Sequence, residues 1–182
     1  ARNWSRYVVK LADVPHRTEL GAVRVGVAAE DVPGLVCELA EIATRHRVLK
    51  AVVYQPQVSG AVELFVGLQA GTEFGTVLLL APGGVTVEQD RQLVGRVLPL
   101  APDARAELVD ELGRLTGLAD ARGGALWNRG ALVDLLAAVE RFASSSAAWL
   151  ESLDLNPVIV SSDRAVAVDA TCEVKERIVP TR

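Results

Sequence analysis

The sequence predicts an α+β fold in which antiparallel sheets carry flanking helices. Three observations predict it. Strand-like segments between Lys50 and Ala81 follow one another with only turn-length gaps, the pattern of a meander and hence of antiparallel pairing. Two helices with apolar stripes come next. The chain then closes on a hairpin.

Tyr7 to Leu11 is β-branched, aromatic and mostly apolar, and reads as a strand. A polar loop, Ala12 to Gly21, contains Pro15, His16 and Thr18. Ala22 to Val27 alternates as a second strand, with Val23, Val25 and Val27 on one face. Pro33 to Arg47 repeats Leu35, Leu39 and Ile42 at helical spacing, with Asp31 as the expected cap and Arg45, His46 and Arg47 complementing the helix dipole at its end.

Lys50 to Pro56, Val62 to Gln69 and Thr76 to Ala81 form the meander, with turns at Ser59-Gly60 and Gly71-Thr72. Pro82-Gly83-Gly84 breaks the backbone before a short strand ending at Glu88. Asp103 to Thr116 carries the stripe Leu108, Leu112 and Leu115. Arg129 to Ser145 carries Leu132, Leu135, Leu136, Val139 and Phe142. Gly117 to Gly130 is the loop between them. Trp149 to Val160 and Ala165 to Thr171 make the closing hairpin across Ser161-Ser162-Asp163-Arg164.

Composition narrows the function. With 182 residues, half of them hydrophobic and 23% charged, the chain can bury a core of one domain or two subdomains. A net charge of −4 and scattered basic residues give no footprint for nucleic acid. No apolar run reaches the roughly 20 residues that cross a bilayer, and Ala1 to Lys10 lacks a signal-peptide core, so no membrane partner and a cytoplasmic location are expected. Cys37, placed on the apolar face of its helix, and Cys172 read as two buried free thiols. Two histidines are too few for a histidine metal cage. There is no methionine, and the chain opens almost directly into a strand, so an internal piece of a longer polypeptide is expected.

Several residues can carry chemistry. Lys10 lies in an apolar strand and points either to solvent, as at a sheet edge, or inward, where its fixed charge suits nucleotide phosphates. Asp154 and Asn156 share one strand face, and the turn returns Asp169 beside them. Oxygen donors converging from strands suit Mg²⁺, which fills its other positions with water and phosphate. Pro157 removes a ladder donor and marks an edge or a bulge. Gly83 and Gly84 permit close approach of a ligand to backbone. Glu63 is a carboxylate within an apolar run and calls for a partner or a function. His16 is a loop histidine able to accept a phosphoryl group.

The order of these signals resembles the ATP-grasp domain of NDP-forming acyl-CoA synthetases, the family of ADP-forming acetyl-CoA synthetase and, more distantly, the succinyl-CoA synthetase β chain. The resemblance runs from about Tyr7 to Glu173. It is carried by Val8-Val9-Lys10, Pro15-His16-Arg17-Thr18-Glu19-Leu20-Gly21-Ala22-Val23, Glu63-Leu64-Phe65-Val66-Gly67, Phe74-Gly75, Gly83-Gly84-Val85-Thr86-Val87-Glu88, Pro99-Leu100, Arg122-Gly123, Leu155-Asn156-Pro157 and Val168-Asp169-Ala170. The chain departs from the family pattern at Ala22, Gly71, Pro82 and Gln92.

The resemblance implies an ATP-grasp fold, two α+β subdomains clamping a nucleotide, with its N-terminal part incomplete over residues 1–182. It implies ATP or ADP and Mg²⁺ as ligands. Lys10 would contact the phosphates, Gln55 lie near the adenine hinge, and Glu63, Gly83, Gly84 and Glu88 line the nucleotide pocket. Asn156 and Asp169 would ligate Mg²⁺, and His16 falls where some members carry a phosphate-relay histidine. The implied activity is acid–CoA ligation, ADP-forming, with a phosphoryl group exchanged with a histidine of a partner domain. CoA-binding and ligase domains in the same or a partner chain, within an oligomer, are the implied partners. The other reading is a catalytically retired domain acting as a nucleotide sensor or assembly subunit.

Overall fold

A computed structural model describes residues 5–12, 20–47, 51–83, 92–101, 103–116 and 127–175. The chain divides into two compact units, Ala1–Val58 and Ser59–Arg182.

The first unit is a three-stranded antiparallel sheet with one helix. Its strands are β1 (Tyr7–Leu11), β2 (Val23–Val27) and β3 (Val52–Pro56), in the order β2-β1-β3. The expected meander is therefore corrected: β3 joins β1 instead of the strands that follow it. Val9 and Leu11 point to one face, where they are buried with Leu39, Ile42 and Ala43 of helix α1 (Val32–His46). Across the strands, Lys10 lies opposite Val53 and Val23, and Val8 opposite Gln55. Pleat alternation places all five on the face away from α1.

Helix α1 begins one residue before the predicted Pro33 and stops when Arg47 enters the left-handed region at φ 55°. Asp31 occupies its N-cap but makes no side-chain cap bond. The preceding 3₁₀ turn, Ala29–Asp31, already holds Asp31 in a helical conformation, so the expected cap is not formed. Arg24, opposite Val9, reaches over the helix face to pair with Glu38 at 2.6 Å and donates to the Gly21 carbonyl.

The second unit has a six-stranded sheet covered by two helices on one face. Its strands are β4 (Val62–Thr72), β5 (Gly75–Pro82), β6 (Val94–Val97), β7 (Leu150–Val160), β8 (Ala165–Ala167) and β9 (Ala170–Val174). The order is β6-β5-β4-β7-β8, and β9 also pairs with β7. Helix α2 (Ala104–Thr116) lies against β5 and β6, and α3 (Arg129–Ser146) against β7 and β8. The core joins Leu64, Val66 and Leu68 of β4 to Leu78 and Leu80, Leu108 and Leu112, Leu132 and Leu136, and Val158 and Val160. Asn128 caps α3 by accepting from the Ala131 amide at 2.9 Å, and its own amide donates to Ser161 O at the β7–β8 turn.

Some expectations shift. The β4–β5 turn falls at Glu73-Phe74 rather than Gly71-Thr72. Strand β6 was not foreseen, being four residues long with Gly95 inside it. The predicted strand ending at Glu88 lies outside the described residues, as does most of the loop from Gly117. Leu115 is half exposed, and Val109 takes its place in the core. Cys37 and Cys172 are free, but exposed rather than buried.

Candidate functional site

Lys10 sits at the centre of its sheet. Strand β1 is flanked on both sides, so the sheet-edge explanation for a lysine in an apolar strand does not hold. It is half-buried on the face that α1 leaves uncovered. Gln55 shares that face two residues along the neighbouring strand, with Val8, Val23 and Val53 around it. Among the described residues of this unit, that face carries Lys10 and Gln55 with Val8, Val23 and Val53, and it continues to Arg6 and Gln57, where the Gln57 backbone amide donates to Arg6 O at 2.9 Å. His16 lies outside the described residues.

In the second unit the helices cover one face of the sheet and leave the other open. The open face takes the alternate residues of the strands. On β4 these are Glu63, Phe65, Gly67 and Gln69. Beside them on β7 are Ile159, Asp154 and Ser152, each fixed by register: Glu63 opposite Ile159, Gly67 opposite Asp154, Gln69 opposite Ser152. On β9, Thr171 lies opposite Asp154 and Glu173 opposite Ser152. Glu63 is exposed here, so solvation rather than a buried partner accommodates its charge.

The ladder breaks at one place. Leu64 pairs with Val158 and Val66 with Leu155, so Phe65 faces two β7 residues, Asn156 and Pro157. This is a β-bulge. It tolerates a proline in a strand paired on both sides, and resolves the edge-or-bulge alternative. On the other side of β7, Val158 pairs with Ala167 and Leu155 with Ala170. Residues 168 and 169 therefore span the same gap, and the Val168 amide donates to Pro157 O at 3.1 Å. The register thus sets Asp169 directly across from Asn156. The predicted second strand, Ala165 to Thr171, is split at this point into β8 and β9.

Asp169 Oδ1 accepts from the Ala170 amide at 3.1 Å. Asn156 and Asp169 supply oxygen donors of the kind Mg²⁺ takes. Among the described residues no group of three or more His, Cys, Asp and Glu side chains could hold a metal. Any cation held by the pair would take its remaining ligands from outside the described side chains.

Asp154 stands next to this bulge. The place a Cβ would take at Gly67 is 2.7 Å from the Phe65 Cζ and 3.6 Å from Asp154 Oδ1. The outer edge of the Phe65 ring thus occupies the space that a side chain at Gly67 would need, with Asp154 Oδ1 also near that point. Asp154 still reaches solvent, but partial desolvation raises its pKa above the ordinary carboxylate range, and the negative charge of Glu173 raises it further. Glu173 is itself held by the Ser152 hydroxyl at 3.0 Å. From sequence alone, neither Phe65 nor Glu173 has a role beside Asp154. Only the strand register brings them to Asp154.

Gly83 is placed by packing. Its amide donates to the Glu63 carbonyl at 2.8 Å, and a Cβ there would sit 2.5–2.7 Å from the Leu64 backbone. Its missing side chain thus serves the approach of β5 to β4, and its N–H is already engaged. Gly84 and Glu88 lie outside the described residues.

Residues 6–174 match the sequence profile of the ATP-grasp domain. Over 178 residues the chain is 32% identical to acetate–CoA ligase [ADP-forming] II of Archaeoglobus fulgidus, covering 93% of this chain and 25% of that protein. It is 25% identical over 166 residues to the acetate–CoA ligase [ADP-forming] II subunit beta of Pyrococcus furiosus, covering 88% of this chain and 70% of that subunit. Among solved structures, it superposes on the dinucleotide-forming acetyl-coenzyme A synthetase 1 of Ca. Korarchaeum cryptofilum, in complex with coenzyme A, Ca-AMPCP and HgCl⁺. The TM-score is 0.81 at 27% identity, over 93% of this chain and 76% of that one. The chain thus spans about a quarter of the length of the Archaeoglobus relative and most of the Pyrococcus beta subunit.

Proposed function

The chain belongs to the ATP-grasp domain family, and we propose that it is the nucleotide-binding part of an ADP-forming acyl-CoA synthetase. In this reading it binds ATP or ADP with Mg²⁺ and exchanges the terminal phosphoryl group with a histidine of a CoA-binding and ligase portion. That portion is fused to it, as the length of the Archaeoglobus relative suggests, or carried by another subunit, as the Pyrococcus beta subunit suggests. A cytoplasmic, oligomeric enzyme is part of the same proposal.

The observation that carries the reading is the bulge at Asn156-Pro157, which sets Asn156 across from Asp169. An amide oxygen on β7 and a carboxylate held across from it, between β8 and β9, suit a cation that arrives with phosphate oxygens. When bound, Mg²⁺ supplies neutralisation of phosphate charge. Lys10 adds a fixed positive charge on the uncovered face of its own sheet, and Gln55 lies near the hinge whose backbone meets the base. Glu63 and, outside the described residues, Gly84 and Glu88 complete the nucleotide contacts by resemblance. Gly83, whose amide is engaged by Glu63, serves that loop as a packing residue. His16 is proposed as a phosphoryl acceptor in relay.

Calorimetry with Mg-ATP and Mg-ADP tests the binding half. Acid-, CoA- and ATP-dependent acyl-CoA formation by the chain together with its CoA-binding portion tests the rest. The 182 residues alone are expected to bind nucleotide and make no acyl-CoA. Acyl-CoA formation by those residues alone, or no nucleotide binding by the complete assembly, overturns the reading. Nucleotide binding without phosphoryl transfer in the complete assembly is the outcome of a retired domain.

A further inference from the structure

One acceptor in the first unit is buried and unpaired. The Oε1 atom of Gln57 is shielded from solvent, and no described residue donates to it. Such an atom costs stability unless something outside the fold donates to it. Its place is nonetheless well fixed. The Gln57 backbone N–H donates to Arg6 O at 2.9 Å, which extends the β1–β3 ladder by one step, and Arg6 Nη1 donates to Gly26 O at 2.9 Å.

Room lies beside the amide. Tyr7 pairs with Val27 and Val9 with Arg24, so Val25 and Gly26 together face Val8 across a bulge. Gly26 takes φ 75°, in the left-handed region that favours glycine. The place a Cβ would take there has Gln57 Oε1 at 4.0 Å and, its own chain neighbours aside, no other described atom so near.

The same face carries what a nucleotide base needs around such an acceptor. A base is flat and apolar on its faces, with polar atoms on its edge. Val25 and Val53 are 65% and 38% exposed, and alternation sets them on the face of Val8 and Val23. Lys10 lies opposite Val53, and Gln57 comes four residues after Val53, about 13 Å along the strand. Cation and acceptor thus stand apart along one line, as the phosphates and the base edge of an extended nucleotide do.

We propose that the Gln57 side chain reads the base, accepting through Oε1 from the exocyclic amino group of adenine. This rests on the nucleotide-binding reading given above. Adenine carries a donor at that edge, and guanine an acceptor in its place. A desolvated, unpaired acceptor favours the base that donates, because the other base leaves it unpaired.

Calorimetry on the complete enzyme, fused or as assembled subunits, tests this with Mg-ADP, Mg-IDP and Mg-GDP. IDP and GDP carry a carbonyl where ADP carries the amino group. Wild type is expected to bind Mg-ADP about tenfold more tightly than either. Gln57→Leu should abolish that preference by weakening Mg-ADP alone. Gln57→Glu should keep it, since a carboxylate can only accept, whereas glutamine can also turn its NH₂ to the ligand. The thermal midpoint of unliganded Gln57→Leu should hold or rise, because leucine removes an unpaired acceptor. An ADP preference that survives in Gln57→Leu overturns the assignment, as do equal affinities for the three nucleotides in wild type or an equal loss of all three in Gln57→Leu. A lower midpoint in unliganded Gln57→Leu also overturns it, by showing that the amide serves the fold. Wild type that binds none of the three removes the nucleotide reading itself, and this assignment with it.

Discussion

The amide of Gly83 donates to the carbonyl of Glu63 at 2.8 Å, closing the end of the β4–β5 ladder. Gly83 can come this close only because it has no side chain. A Cβ would meet the Leu64 N, C and O atoms at 2.5–2.7 Å, and backbone atoms cannot swing aside as a side-chain tip can. Gly83→Ala is therefore expected to destabilise the second unit by about 1–3 kcal/mol, the usual cost of overpacking. Urea denaturation checks this. An unchanged midpoint would show that the loop itself absorbs the methyl group.

The environment of Asp154 makes a prediction about pH. Burial comes first among the causes that raise its pKa, and Glu173 second. Because the folded pKa is raised, the protonated acid favours the fold. That contribution is complete below the unfolded pKa, about 3.9, and is lost as pH rises through the higher folded value. Observed by NMR, the Asp154 carboxyl should titrate above the ordinary range. Glu173→Gln should lower the midpoint slightly. Phe65→Ala, which removes a ring from the same stretch of the sheet face, should lower it as well. A midpoint that ignores both variants would place the cause elsewhere.

Asn156 and Asp169 are predicted to act as a pair that needs phosphate. Asp169→Ala should weaken Mg-nucleotide binding by about tenfold or more, roughly 1.4 kcal/mol, with little change in the far-ultraviolet spectrum or thermal midpoint. Without nucleotide, Mg²⁺ alone should bind weakly, since the cation releases its waters reluctantly. Calorimetry of Mg²⁺, Mg-ADP and metal-free ADP separates these. Equal Mg-ADP affinity in wild type and Asp169→Ala would remove the residue from the site.

How much of this was legible in the sequence depends on how far each feature reaches along the chain. The three helices could be read within a residue or so, because an apolar stripe at 3.6-residue spacing is local information. The sheet partner of Val52–Pro56 could not. A strand of that composition fits either neighbour, and the choice is made by Tyr7–Leu11, over forty residues away. Cys37 was misplaced by helical phase. It lies two residues from buried Leu39, about 200° round the helix, and so faces outward. For the candidate site, the oxygen donors Asp154, Asn156 and Asp169 were visible from alternation and a short turn. The bulge that aligns two of them, and the Phe65 ring beside the third, follow from pairing between β4 and β7, across some ninety residues.

Lys10 carries the prediction that decides between a working and a retired domain. Its neighbours in sequence, Val9 and Leu11, are buried against α1, so Lys10 must face the other way and its removal opens no cavity. Lys10→Ala should leave the stability of the first unit within about 0.5 kcal/mol, as substitutions away from a core do. Val9→Ala should cost more, on the order of 1–3 kcal/mol, since it empties part of a packed core. If the lysine neutralises phosphate charge that develops in transfer, its loss acts on the rate more than on ground-state binding. A preorganised charge or donor of this kind contributes about a hundred- to a thousandfold. The assay follows histidine phosphorylation from labelled ATP in the complete assembly. A working domain shows phosphorylation that falls by that factor in Lys10→Ala, with nucleotide affinity falling less. A retired domain binds nucleotide in both forms and phosphorylates nothing in either. Phosphorylation that continues undiminished in Lys10→Ala would mean that the uncovered face of this sheet is not where the phosphates lie.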